Sequence, residues 1–358
     1  MGCCCSSGSH WDASRIADGS LAGKRVLITG GSSGLGLEVA KLFVSKGATV
    51  LITSRSQQRL DAAARSIRAH ARSGAEVETK PLDLSSMADV RDFASWYRRE
   101  HSDKPLSVLV NNAGIMAVPS RRVTEDGFEL QMATNYLGHF LLTAGLLPQL
   151  LATRGSRVVN LSSFLHASCQ GKDSTGVLHF EEADPFHANG ASGGPSHGEY
   201  SRWEQYHRTK MMAILFTREM QRRLEKAGRS GPDGLTCVSA HPGFSSTGLL
   251  GSTGMSAPVA CIANTCVAQS ASMGALPILY AAAEPSVCGG EYIGPLGANN
   301  RSGYPGPNKA DARASDERSM EKLWEVSVAA TGADYSAIGD EAVSPEAPAA
   351  AAAGARPS

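Results

Sequence analysis

No uninterrupted apolar run of about 18 residues, the length a membrane-spanning helix needs, occurs in this 358-residue chain. The N-terminus also lacks the apolar core of a secretory signal. Neither charge is in excess, because 34 Lys and Arg balance 34 Asp and Glu, and no global field favours nucleic acid. Metal-ligand spacing is missing as well: Cys169, Cys237, Cys261, Cys266 and Cys288 stand singly and read as small core residues in a reducing compartment. These absences leave a cytosolic globular protein. With 42% hydrophobic residues it has enough apolar surface for one large α/β domain with tails.

The other cysteines carry a different signal. Met1-Gly2-Cys3-Cys4-Cys5-Ser6 matches the N-myristoylation pattern at Gly2, with thiols suited to palmitoylation at Cys3, Cys4 and Cys5. One myristoyl chain binds a bilayer only marginally, and a second acyl chain gives stable anchoring. The expectation is a lipid-anchored protein at the cytosolic face of a membrane, with residues 1–20 flexible.

From residue 21 onward the chain alternates between short apolar runs and amphipathic ones. The patterning predicts strands at Arg25–Thr29, Thr49–Ser54, Val77–Leu82, Leu106–Asn111 and Arg157–Leu161. Helices fall at Gly34–Ser45, Gln57–Arg72, Ser86–Arg99 and about Glu125–Leu151. Strands apolar on both faces, such as Val108-Leu109-Val110, belong to a parallel sheet covered on both sides. The expected fold is a single doubly wound (Rossmann) α/β domain over residues 21–330, with a mainly parallel sheet of about seven strands flanked by helices. Later elements are a helix at Tyr206–Glu225, a strand at Thr236–His241, a helix at Gln269–Ala283, a strand at Glu291–Gly294 and a helix at Ser315–Ser327. The region up to Lys309 reads as turns, and residues 331–358 as a disordered Ala/Pro-rich tail.

Thr29-Gly30-Gly31-Ser32-Ser33-Gly34-Leu35-Gly36 joins the first strand to the first helix. Glycines there let the backbone take positive φ and let a ligand approach the main chain, and the helix N-terminus offers N–H groups to a phosphate. Further motifs follow in order: Asp83-Leu84, Asn111-Asn112-Ala113-Gly114, Asn135 within Asn-Tyr-Leu-Gly-His-Phe-Leu-Leu, Asn160-Leu161-Ser162-Ser163, Tyr206 with Lys210, and Pro242-Gly243 with Thr247. In this combination the chain resembles the short-chain dehydrogenase/reductases, and among them the retinol dehydrogenase-like branch.

The resemblance implies a nicotinamide dinucleotide as cofactor. Gly30, Ser32, Ser33, Gly34, Leu35 and Gly36 would hold its phosphates, Asp83 and Leu84 the adenine, and Asn111, Ala113 and Gly114 the groove floor. Pro242, Gly243 and Thr247 would lie at the nicotinamide. Strand two is followed by Arg55 where a carboxylate would accept from a ribose 2′-hydroxyl; a guanidinium there pairs with a 2′-phosphate, favouring NADP(H), with NAD(H) the alternative.

Tyr206 and Lys210 are four apart and share a helix face. By resemblance Tyr206 is the general acid/base, Lys210 lowers its pKa and holds the nicotinamide ribose, Ser163 bonds the substrate oxygen, and Asn135 interrupts its helix and carries a water that links Lys210 to solvent. No metal is expected: His166, Cys169, His179, His187 and His197 are irregularly spaced. The stretch between Ser163 and Tyr206 is longer than the family's and reads as an insertion, 164–205, in which Phe164, Leu165, Val177, Leu178 and Phe180 would pack over the site. Pro242 to Ala283 contains no Asp, Glu, Lys or Arg, which suits a lipophilic substrate of retinoid, steroid or aldehyde type. Dimerisation through the helices bearing Asn135 and Tyr206 is common in the family. Two rival readings are a protochlorophyllide reductase-like enzyme, suggested by Gly127-Phe128-Glu129-Leu130 and Thr247-Gly248-Leu249-Leu250, and a catalytically silent cofactor-binding scaffold.

Overall fold

The computed structural model describes residues 10–170, 186, 200–245, 269–297 and 299–339. Gly2, Cys3, Cys4, Cys5, Thr247, Val177, Leu178 and Phe180 lie outside them. Eight strands form one sheet in the order β3-β2-β1-β4-β5-β6-β7-β8: β1 (Arg25–Thr29), β2 (Thr49–Ser54), β3 (Val77–Pro81), β4 (Val108–Asn111), β5 (Arg157–Leu161), β6 (Thr236–Ala240), β7 (Tyr292–Gly297) and β8 (Ser302–Pro307). All neighbours pair in parallel except β7 and β8. The order reverses at β1, which pairs with β2 on one side and β4 on the other. Ligands of such sheets sit in the crevice that this reversal opens at the strands' carboxyl ends.

Two apolar layers sandwich the sheet, since β1 sends Val26 and Ile28 to one face and Leu27 to the other. On one side lie α1 (Gly34–Ser45), α2 (Gln57–Arg68) and α7 (Ala271–Ala283); on the other lie α3 (Met87–Glu100), α5 (Gly138–Leu151), α6 (Arg202–Lys226) and α8 (Glu317–Thr331). Gly145 lets α5 lie against α3, because a Cβ there would stand 2.6 Å from the Ala94 Cβ. None of the described helices is long and apolar enough to cross a membrane.

Several expected boundaries move. The helix expected from about Glu125 starts at α4 (Leu130–Met132), because Gly127 at φ +87° closes a turn onto the Thr124 carbonyl and Val123 bridges to Glu129. It continues through a π-helical turn, Ala133–Leu137, into α5. α6 begins at Arg202 rather than Tyr206, because Ser201 caps it by accepting from the Glu204 N–H. The turn-rich stretch before Lys309 holds β8, whose sequence Ser-Gly-Tyr-Pro-Gly-Pro reads as turn and is tolerated on an edge strand.

Packing also extends past the expected domain limits. Trp11 is buried, donates from Nε1 to Glu284 Oε2 at 2.8 Å and meets Tyr280 edge-on. At the other end Tyr335 is buried and donates to the Phe140 carbonyl at 2.7 Å. These aromatic anchors hold residues assigned in the sequence to a flexible segment and a tail.

Candidate active site

The glycine turn leaves β1 and enters α1 at the switch point. Gly30 (φ +67°) and Gly34 (φ +55°) adopt left-handed backbone. A Cβ on Gly36 would stand 2.5 Å from the Gly30 carbonyl oxygen, so only glycine lets the helix close onto the turn. Ser33 is the α1 N-cap residue, yet its side chain makes no cap bond, and the helix's first turn carries no acid. By contrast Ser56, Ser86, Ser201 and Ser270 each cap their helices by side-chain acceptance. An uncapped N-terminus beside left-handed glycines is a fitting cradle for a phosphate.

The turn is braced from both sides. Gly31 donates to the Thr53 carbonyl at 3.1 Å, tying it to β2 two residues before Arg55. Arg55 itself is exposed. On the β4 side Asn112 Nδ2 donates to the Thr29 carbonyl at 2.7 Å, and the Ala113 N–H donates to Thr29 Oγ1 at 3.0 Å. Asn111 is buried, and its Nδ2 donates to Asn160 Oδ1 and Thr143 Oγ1 at 2.8 and 3.0 Å. Its side chain therefore braces β4 against β5 and α5. The Asp83 Oδ1 accepts from the N–H and hydroxyl of Ser85, while Ser86 caps α3. Leu84 is buried, and its carbonyl lies so close to Gly138 that a side chain there would collide.

Around Gly114 the two halves of the site meet: a Cβ there would stand 3.4 Å from Asn135 Oδ1 and 3.7 Å from Lys210 Nζ. Asn135 sits in the π-helical turn, where the Gly138 N–H bonds to the Ala133 carbonyl five residues back. Its Oδ1 accepts from the Ile115 N–H at 2.8 Å, and its Nδ2 donates to the Ile115 carbonyl and to Thr209 Oγ1. It thus fastens the loop after β4 to α6 one residue before Lys210.

Lys210 is buried; its ammonium donates to the Leu161 carbonyl at 3.1 Å, and the Ser162 hydroxyl donates to the Lys210 carbonyl at 2.7 Å. The end of β5 and helix α6 are therefore locked together, which brings Ser163 to Tyr206 despite the long stretch between them. Ser163 stands close enough to the Tyr206 phenol to hold its pKa down against burial, and Lys210 Nζ lies 5.5 Å from the centroid of the Tyr206 ring. Burial pushes the Tyr206 phenol up to about 12, with the Ser163 hydroxyl opposing. Burial also brings Lys210 down to about 8.

The phenol is walled by Met116, Ala117, Leu165 and Trp203. Ala117 takes φ +48°, held by the Gln131 side chain, which accepts from its N–H at 2.8 Å. Left-handed backbone at a residue with a Cβ costs roughly 1–2 kcal/mol and marks a place where the surroundings impose the conformation. Pro242 and Gly243 follow β6. The Pro242 carbonyl accepts from Ser245 Oγ and Gln269 Nε2, both at 2.7 Å. Ser245 and Gln269 also bridge beside the site.

Some participants had no separate signal in the sequence. His139 was visible only as part of its motif, yet its ring touches Thr29 and the Asn135 carbonyl. His166, grouped with irregular histidines, is buried beside Ser163. Among the described residues no cluster of three His, Cys, Asp or Glu could hold a metal ion.

A doubly wound sheet with an uncapped glycine turn at its switch point, and a neighbouring serine and tyrosine beside a buried lysine, defines a nicotinamide-dependent oxidoreductase. Comparison with known proteins agrees. The family model described as short chain dehydrogenase matches residues 24–170. The chain is 30% identical over 329 residues to retinol dehydrogenase 13 of Homo sapiens, covering 90% of this chain and 88% of that one. It is also similar to the crystal structure of an uncharacterized protein from Mycobacterium paratuberculosis, with TM-score 0.69, 34% identity and coverage of 91% and 99% of the two chains. A short-chain dehydrogenase from Burkholderia cenocepacia, solved in complex with NADP, shares the fold at TM-score 0.53 and 23% identity, covering 76% of this chain and 96% of that one. The chain belongs to the short-chain dehydrogenase/reductase family and is retinol dehydrogenase-like.

Proposed function

We propose that this protein is an NADP(H)-dependent oxidoreductase that interconverts a carbonyl and an alcohol on a lipophilic substrate. The observation that carries the reading is the placement of Tyr206 beside Ser163, with the buried Lys210 ammonium 5.5 Å from its ring. The cofactor, when bound, supplies or accepts the hydride. Gly30, Ser32, Ser33, Gly34, Leu35 and Gly36 hold its phosphates, Asp83 and Leu84 its adenine, and Ala113, Gly114, Pro242, Gly243 and Thr247 its nicotinamide half. Arg55, exposed after β2 with no acid in its place, pairs with the 2′-phosphate.

Ser163 Oγ donates a hydrogen bond to the substrate oxygen as charge grows there, and Tyr206 Oη delivers the proton that neutralises it. A phenol held up near 12 is fully protonated at neutral pH, which suits proton delivery during carbonyl reduction. Lys210 supplies positive charge beside the ring and holds the ribose. The apolar wall of Met116, Ala117, Leu165 and Trp203 supports a lipophilic substrate. An NADPH-oxidation screen across retinals, steroid ketones and aliphatic aldehydes tests the reading: turnover with apolar carbonyls is expected, and turnover confined to polar ones contradicts it.

Attachment to a membrane surface through acylation of Gly2 and of Cys3, Cys4 or Cys5 is part of the same reading, supported by the sequence motif and its two-chain logic. Gly2→Ala should release the protein from the membrane fraction, and unchanged partitioning contradicts it. A homodimer through α5 and α6 is not part of the reading, because α8 covers that face: Trp324 meets Phe140 and Phe216 at 5.4 and 6.1 Å between ring centroids.

A further inference from the structure

His166 takes no part in the chemistry above, yet it is buried in the short helical turn Phe164–Ser168 that follows Ser163. Its hydrogen bonds fix its tautomer. The Asp311 N–H can only donate, so Nε2, 3.0 Å away, accepts. Nδ1 therefore carries the proton and donates to the Ser163 carbonyl at 2.7 Å. Burial holds the ring's pKa below its ordinary value, in keeping with a neutral imidazole. Tyr292 closes the ring in, meeting it edge-on at 5.1 Å, with its hydroxyl 3.3 Å from Nδ1.

Asp311 is itself held. Arg313 grips its carboxylate through Nε to Oδ1 at 2.8 Å and Nη2 to Oδ2 at 3.2 Å. The same guanidinium donates to the carbonyls of Ala167 and Cys169 at 2.9 and 2.5 Å. Residues 311–313 thus grip the turn at both ends, at Ser163 through the imidazole and at Ala167 and Cys169 through the guanidinium. Ser163 Oγ, meanwhile, accepts a single backbone bond among the described residues, from the Leu165 N–H at 3.2 Å. Its aim depends on the backbone that carries it.

We propose that His166 is a positioning residue for the reaction: it ties the Ser163 carbonyl to the C-terminal strap Asp311–Arg313 and so fixes the direction of the Ser163 hydroxyl toward Tyr206 and the substrate oxygen. The inference rests on Ser163 and Tyr206 being the reacting pair. The ring's partners Ser163, Asp311 and Tyr292 are none of the residues assigned to the cofactor, so its removal acts on turnover and leaves NADPH binding in place.

The test compares His166→Ala and His166→Asn in the full chain, with kcat and KM for a carbonyl substrate and NADPH affinity by fluorescence. His166→Ala is expected to lower kcat between about 10-fold and 100-fold, the scale of a misplaced reacting group, with NADPH affinity within about 3-fold. His166→Asn places an amide N–H near the position of Nδ1 and is expected to restore most of kcat, although the Asp311 contact is still lost. Equal losses in the two variants, or an unchanged kcat in His166→Ala, overturn the proposal. If His166→Ala fails to fold, nitrogen chemical shifts of His166 in the wild type decide: a proton on Nδ1 supports the tie, and a proton on Nε2 overturns it. Full turnover in Ser163→Ala or Tyr206→Phe marks failure of the reacting pair instead, a result the histidine variants cannot mimic.

Discussion

The hydroxyl of Thr29, the last residue of β1, lies 2.9 Å from Nε2 of His139 in α5, 110 residues away. Thr29 Oγ1 accepts from the N–H groups of Asn112 and Ala113 at 2.9 and 3.0 Å. With both lone pairs engaged, its proton goes to the imidazole, the nearer acceptor compared with the Val110 carbonyl at 3.4 Å. Nδ1 of His139 then carries the proton and donates to the Asn135 carbonyl at 3.1 Å. One neutral ring therefore joins the floor of the cofactor groove to the π-helical turn behind Lys210.

Thr29→Val keeps the shape and deletes the acceptor, which strands the Ala113 N–H, while the Asn112 N–H keeps the Val110 carbonyl at 3.0 Å. We expect a loss of about 1–3 kcal/mol in unfolding free energy, the cost of one unsatisfied buried donor, together with weaker NADPH binding. Thr29→Ser should behave as wild type. Denaturant unfolding checks this, and a valine variant as stable as wild type contradicts it.

Buried neutral histidines make the fold sensitive to acid. Burial lowers His139 to about 4 and His241 to about 3. In the unfolded chain both return to about 6.5. Below that value the unfolded state binds protons that the folded state refuses, so stability is complete above pH 6.5 and falls as pH drops toward 4, by up to about 1.4 kcal/mol per unit per ring. Melting temperature measured from pH 8 to pH 4 should therefore decline below about 6.5, and a curve flat to pH 4.5 contradicts the neutral assignment.

On the proposed function, Arg55 chooses the cofactor. Arg55→Ala should raise KM for NADPH about 10-fold or more, an exposed charge-assisted contact being worth roughly 1.5–3 kcal/mol, while KM for NADH changes little. Steady-state kinetics with both cofactors read the ratio, and a ratio equal to that of wild type removes Arg55 from the site.

The aromatic cluster of Phe140, Phe216, Trp324 and Tyr335 seals the outer face of α5 and α6; the Trp324 and Tyr335 rings stand 4.4 Å apart. Light scattering on the purified chain should give the mass of a monomer. Trp324→Ala should cost about 3–5 kcal/mol, as for other buried aromatic truncations, and expose an apolar face that promotes association. A wild-type dimer that forms with α8 in place would contradict this.

Local patterning carried much of this in the sequence. The glycine turn, the two-faced apolar strands and the Tyr206–Lys210 spacing are short-range signals, and all sit where the patterning put them. What the sequence hid depends on distant partners. β8 is a strand because β7 offers it an edge, not because Gly and Pro prefer to be extended. His166 matters through Asp311, 145 residues away, and the uncapped Ser33 stands out only against four serines that do cap. The helix expected from about Glu125 was overextended because Gly127 carries its turn in a φ value, which composition does not display.

The most direct measurement of the central claim is single-turnover reduction of a lipophilic aldehyde by Tyr206→Phe alongside NADPH binding. The phenylalanine keeps the ring that Met116, Ala117, Leu165 and Trp203 enclose and removes only the hydroxyl. NADPH affinity is expected within about 3-fold of wild type, with a loss of turnover of 100-fold or more, the scale of general acid catalysis, about 10²–10⁴-fold. Retention of turnover within a few fold would contradict it.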